Sequence, residues 1–133
     1  MAESQGTPAE IKNVDVYTAK GLYDIGYRYL DVRTEEEFEK GHAEGALNIP
    51  YMFKAEEGRV KNPEFLTQVL EKCKKDDRMI VACNAGGRGR KATTDLQQQG
   101  FVDVANIEGG YSAWIDAGFA DDNAEKVACK FRP

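Results

Sequence analysis

The chain has 133 residues, 41% of them hydrophobic, which suits one domain with one core. Its net charge of −5 runs against the basic face that nucleic-acid partners require, and no apolar run approaches the ~20 residues of a membrane-crossing helix. Three cysteines and one histidine, without metal-ligand spacing, fit neither a disulfide scaffold nor a zinc site and point to a reducing compartment.

In chain order, residues 1–10 are small and polar and read as a disordered tail, with neither a signal-peptide core nor an Arg-rich transit pattern. Residues 11–120 read as the domain and 121–133 as a C-terminal tail. A short strand is expected over 11–16. A helix follows over 17–25, with Ala19, Leu22, Tyr23 and Ile25 on its apolar side and Gly26 as terminator. Residues 28–32 make the first strong strand. Asp31 and Arg33 stand at its end, where an open α/β sheet collects functional groups. They read either as supports of a neighbouring loop, with Asp31 accepting hydrogen bonds that fix it, or as a surface ion pair.

Thr34 and Glu37 have capping-box spacing and open a helix that runs to Lys40 and stops at Gly41. His42 is the one candidate general base of its type. Residues 46–49 are a short strand ended by Pro50. Residues 51–61 read as an irregular, charged loop in which Tyr51, Met52 and Phe53 either wall a pocket mouth or cover the core. Asn62 and Pro63 supply an N-cap and a first helical position. Phe65, Leu66, Val69, Leu70 and Cys73 then recur on one side, so Cys73 is expected to be buried and inert. Lys72, Lys74 and Lys75 form a solvated basic run at that helix's end.

Residues 79–82 are an apolar run of strand length that stops at Cys83. Asn84, Ala85, Gly86, Gly87, Arg88 and Gly89 follow, then a helical stretch over 90–99 with Gly100 as its cap. Cys83 is thus placed at a strand end, in a tight loop feeding a helix N-terminus. Glycines let successive N–H groups turn inward into an anion-binding concavity. The helix end adds roughly half a positive charge, and Arg88 and Arg90 add whole ones. Such a field favours thiolate over thiol and makes Cys83 the candidate nucleophile, with residues 84–89 as its substrate cradle. The plainer alternative is a small buried hydrophobe in a turn. Protein tyrosine phosphatases carry a similar cradle, one residue longer and with His before the Cys, where this chain has Ala82. The shorter ring of amides suits a single sulfur atom better than a phosphate.

Residues 101–107 supply another strand, Gly109 and Gly110 a tight turn, and 111–117 a short helix with Trp114 inward, closed by Gly118. Strands alternating with helices predict an α/β layer structure, a largely parallel central sheet flanked by helices on both faces. Cys129, in the tail from Phe119 onward, is either an incidental surface thiol or a resolving thiol for an oxidised or persulfidated Cys83.

Five further blocks accompany the loop: Tyr29-Leu30-Asp31-Val32-Arg33, Glu36-Glu37-Phe38, Gly41-His42, Gly45-Ala46-Leu47-Asn48-Ile49-Pro50 and Gly109-Gly110-Tyr111-Ser112-Ala113-Trp114. With them, across residues 14–114, the chain resembles the single-domain rhodaneses, sulfurtransferases that carry a persulfide on the loop cysteine. It is similar to small plant rhodaneses, including a subgroup described as arsenate reductases that shares the loop 82–89 and the ending 128–133. The resemblance implies a rhodanese-like single domain that moves a sulfane sulfur from a small anionic donor such as thiosulfate to cyanide or a thiol. It implies catalysis by Cys83 without cofactor or metal, and a structural His42. Arsenate reduction with glutathione at the same cysteine, and a non-enzymatic persulfide carrier or redox-signalling module, stand as alternatives. Many rhodaneses carry Ser where this chain has Gly89, which removes a hydroxyl donor near the substrate. A monomer is expected, in the cytoplasm or, where a transit peptide has been removed, in a plastid or mitochondrion.

Overall fold

The computed structural model describes residues 12–55, 58–85, 87–119 and 121–122; Gly86 and Cys129 lie outside that set. The elements run β1 (Lys12–Val14), α1 (Val16–Asp24), β2 (Arg28–Asp31), α2 (Glu35–Lys40), β3 (His42–Ala43), β4 (Leu47–Asn48), β5 (Met52–Ala55) and β6 (Gly58–Lys61). They continue with α3 (Phe65–Lys72), β7 (Arg78–Ala82), α4 (Gly87–Gln98), β8 (Asp103–Ile107), α5 (Gly110–Asp116) and β9 (Asp121–Asp122). Five strands pair in parallel in the order β1-β8-β7-β2-β4.

Side chains on β7 alternate between two cores, as the period of two in a strand requires. Met79, Val81 and Cys83 join Leu30, Val32 and Val104 against Phe65 and Val69 of α3 and Ala92 and Leu96 of α4. Ile80 and Ala82 join Tyr29, Ala105 and Ile107 against Val16 and Ala19 of α1 and Trp114 of α5. The sheet is therefore covered on both faces, which is why Met79 to Ala82 of β7 form an unbroken buried apolar run. Trp114 is fully buried, with Tyr23, Tyr29 and Phe119 edge-on at 5.2, 5.0 and 5.3 Å.

Several boundaries differ from the expected ones. Helix α1 starts at Val16 because the Asp15 side chain accepts the Thr18 N–H at 2.7 Å, ending the strand early. Ile25 is the C-cap and is exposed rather than packed. Asn62 does not cap α3. It makes a buried turn, accepting the Glu64 N–H and donating to the Pro50 carbonyl, and the helix begins only at Phe65. Residues 51–61 are not irregular, because β5 and β6 form an antiparallel hairpin. Strand β6 is exposed along its whole length, so no alternation toward a core marks it, and Glu56-Glu57 is no hairpin-turn signature. Tyr51 covers the core against Phe65, while Phe53 is largely exposed. Beyond α5, Phe119 packs on Trp114 and Tyr17, and β9 pairs with β3, so the fold extends into the expected tail.

Candidate active site

Cys83 follows β7 directly, beside Asp31, whose backbone is in register with Ala82. It is buried, 2% exposed. Its carbonyl accepts the Tyr111 N–H at 2.7 Å, and the Asn84 carbonyl accepts the Ser112 N–H at 3.1 Å. These donors belong to the first turn of α5, whose N–H groups have no partner within the helix. The approach depends on Gly110. Its φ is +54°, and a Cβ there would collide with the Cys83 carbonyl. Gly109-Gly110 is thus more than a turn: it docks α5 on the base of the loop.

On the other side, α4 begins at Gly87, so Arg88 and Gly89 belong to its first turn rather than to the loop. Gly89 is buried against Asn106 of β8, and a Cβ on it would collide with Asn106 Oδ1. Asn106 is itself fully buried and donates through Nδ2 to Asn13. A serine at position 89 has no room beside this asparagine.

Arg88 is 9% exposed and makes a bidentate ion pair with Glu37, at 2.8 and 3.1 Å. The Glu37 carboxylate also accepts the Thr34 N–H, completing the capping box that opens α2. Burial pushes the Glu37 carboxyl up, but the hydrogen bonds from Arg88 and Thr34 outweigh it and hold it down at about 2. Arg88 is therefore not a free cation facing an incoming anion. It ties the start of α4 to the start of α2.

Asp31 and Arg33 are not the surface pair that the sequence allowed for. They form an ion pair, but a buried one: Arg33 donates its backbone N–H and its guanidinium to Asp31 at 2.7–3.1 Å. The pair reaches the loop indirectly, since the Arg33 guanidinium lies 4.0 Å over the Tyr111 ring and donates to the Gly41 carbonyl. His42 stacks on Phe38 at 3.7 Å, with Nδ1 2.8 Å from the Phe38 carbonyl oxygen. Cys73 is buried at the end of α3, and burial pushes its thiol up.

A cleft of about 390 Å³ opens over the loop, walled by Met52, Arg59, Asn84, Ala85, Gly87, Arg88 and Lys91. Among the described residues its walls carry three cations, Arg59, Arg88 and Lys91, and no acid. A larger cleft of about 600 Å³ adjoins it through Met52 and Arg59, but that one runs over Thr34, Glu36, Glu37 and Lys40 and does not touch the loop. Glu37, Arg59, Lys91, Asn106 and Gly110 complete the site. The capping box pointed to Glu37; no sequence signal pointed to Arg59 or to Asn106. Among the described residues no three His, Cys, Asp or Glu side chains converge as a metal site would require.

The rhodanese-like domain family matches residues 16–117. The chain belongs to the rhodanese family. It is 63% identical to the Arabidopsis thaliana mitochondrial protein HIGH ARSENIC CONTENT 1, over 96% of this chain and 77% of that one. It is 51% identical to the chloroplastic thiosulfate sulfurtransferase 16 of the same plant, over 89% of this chain and 96% of that one. Its fold matches the solution structure of a rhodanese-like domain from Anabaena, with a TM-score of 0.69 at 21% identity, covering 84% of this chain and 78% of that one.

Proposed function

We propose that this rhodanese is a sulfurtransferase working through a persulfide on Cys83. One observation carries the reading: a buried cysteine at the end of the central strand, followed directly by Asn84, Ala85, Gly87 and Arg88, which line a small cleft together with the cations Arg59 and Lys91. Burial restricts access to small reagents, and the cations select anionic ones. The Cys83 thiolate attacks the outer sulfur of a donor such as thiosulfate. A sulfur–sulfur bond forms, the donor's own sulfur–sulfur bond breaks, and sulfite leaves with the electron pair. The terminal sulfur rests in the ring of amides from Asn84 to Gly89, an arrangement of the oxyanion-hole type. Cyanide or a thiol then attacks that sulfur and releases the Cys83 thiolate. Arg88, held by Glu37, positions the loop. Asp31 and Arg33 support it through Tyr111.

Two half-reactions on one nucleophile require ping-pong kinetics. Initial rates with thiosulfate and cyanide varied together are expected to give parallel double-reciprocal lines, and Cys83→Ser to abolish turnover. Converging lines, or activity kept by the variant, rule the reading out.

The name of the relative at 63% identity supports a second reading, arsenate reduction. There the Cys83 thiolate forms a bond to arsenic as a hydroxyl leaves as water, glutathione attacks the Cys83 sulfur so that arsenite departs with the arsenic–sulfur electron pair, and a second glutathione reduces the mixed disulfide. Arsenite released from arsenate and glutathione by wild type only, with no sulfur loading from thiosulfate, decides for it. A persulfide carrier differs by loading readily but turning over slowly with every small acceptor. A thiol enzyme of this kind suits any reducing compartment, cytosol, plastid or mitochondrion.

A further inference from the structure

Sulfur transfer from thiosulfate brings a small dianion to the loop. The motif puts Arg88 forward as the group that receives that anion, but both its terminal nitrogens are already engaged by Glu37. The other two cations on the cleft are not so committed. Arg59 projects from β6, its side chain 48% exposed, and stands 3.8 Å from Glu37 Oε2. That carboxylate already accepts from Arg88 at far shorter range. Lys91 is exposed on α4 and has no acidic partner among the described residues. One residue comes from the hairpin and one from the helix, and both wall the cleft that is lined by Asn84, Ala85 and Gly87, the residues following Cys83.

Resting on the sulfurtransferase reading, we propose that Arg59 and Lys91 form the oxyanion subsite of this enzyme, and that Arg88 is a positioning residue. The Arg59 guanidinium offers a planar fork that matches two oxygens of a sulfonate-like or arsenate-like group. Lys91 supplies a compact charge from the opposite wall. Together they hold the oxygen-bearing end of the donor over the loop, with its outer sulfur toward Cys83, and they retain the negative charge as sulfite departs. The shared chemistry is a small tetrahedral dianion, so the subsite serves the sulfur and arsenic readings alike. Its placement on a hairpin also gives β6, which is exposed along its whole length, a function.

The test separates binding from chemistry. Sulfate, an inert tetrahedral dianion, is titrated into isotope-labelled protein at constant ionic strength while the amide signals of Asn84 to Lys91 are followed. Wild type is expected to shift saturably. R59Q and K91Q are each expected to lose about ten-fold in affinity, the size of one charge-assisted contact, and K40Q, on the neighbouring cleft, to bind as wild type does. In turnover, R59Q and K91Q are expected to raise KM for thiosulfate while the transfer from loaded Cys83 to cyanide keeps its rate. No saturable shift in wild type, or unchanged sulfate affinity in the R59Q/K91Q double variant, overturns the subsite. Failure of the sulfurtransferase reading looks different: sulfate binding still depends on both cations, but thiosulfate leaves no sulfur on Cys83.

Discussion

The Glu37 carboxylate accepts the Thr34 N–H on one side and the Arg88 guanidinium on the other, so a helix cap and a loop brace share one group. Gly89 is constrained as tightly from below, because Asn106 Oδ1 occupies the space a side chain would need. Gly89→Ser is expected to destabilise the fold by about 1–3 kcal/mol through overpacking, read as a drop in the denaturation midpoint. Asn106→Ala in the same chain is expected to recover part of that loss, a coupling that a double-mutant cycle measures. Strictly additive losses would show that the two residues do not compete. The pair also explains why this chain departs from the serine common in its family: glycine and a buried asparagine occupy one volume together.

At the level of the elements, the loop is a junction of three pieces: β7 delivers Cys83, α4 leaves from it, and α5 caps its carbonyls. Gly110→Ala is expected to push α5 off the Cys83 carbonyl and to cut kcat/KM far more than it lowers the melting temperature. An unchanged kcat/KM would show that α5 plays no part in shaping the loop. The strand, thiol, glycines and helix were legible because they are consecutive and carry local signals of period and capping, although the helix starts at Gly87 rather than at Arg90. The Arg88 partner was not legible, because Glu37 lies 51 residues away and its capping role already accounted for it. Asp31 and Arg33 read as a pair but not as a buried one, since burial depends on Gly41 and Tyr111 arriving from elsewhere. The β5–β6 hairpin escaped the sequence for a related reason: with β6 exposed along its whole length, that strand carries no hydrophobic alternation.

Across the whole molecule, the two cores on either side of the sheet set the stability, and the ion pairs at the strand ends set its response to acid. The Glu37 carboxyl falls from 4.5 to about 2 in the fold. Its lowered value means the folded state favours the carboxylate. The stabilisation is complete above pH 4.5 and disappears as the pH falls toward 2. It amounts to no more than roughly 3 kcal/mol, and solvent screening of this partly exposed pair takes it lower. Asp15 and Asp77 are held below the ordinary carboxylate range by the N–H groups of Thr18 and Lys74, and act in the same direction. Wild type is therefore expected to keep its melting temperature above about pH 5 and to lose it steeply below. Glu37→Gln is expected to melt lower at pH 7, with Arg88 left unpaired, and to lose less on acidification. A variant with the same acid slope as wild type would remove Glu37 from this account.

On the proposed reading, Cys83 takes a single sulfur from a small anionic donor. Intact-protein mass spectrometry after incubation with thiosulfate, wild type beside Cys83→Ser, reads that transfer. Wild type is expected to gain one sulfur mass, lost on adding cyanide and absent from a folded Cys83→Ser. No gain in wild type, or an equal gain in the variant, would contradict it.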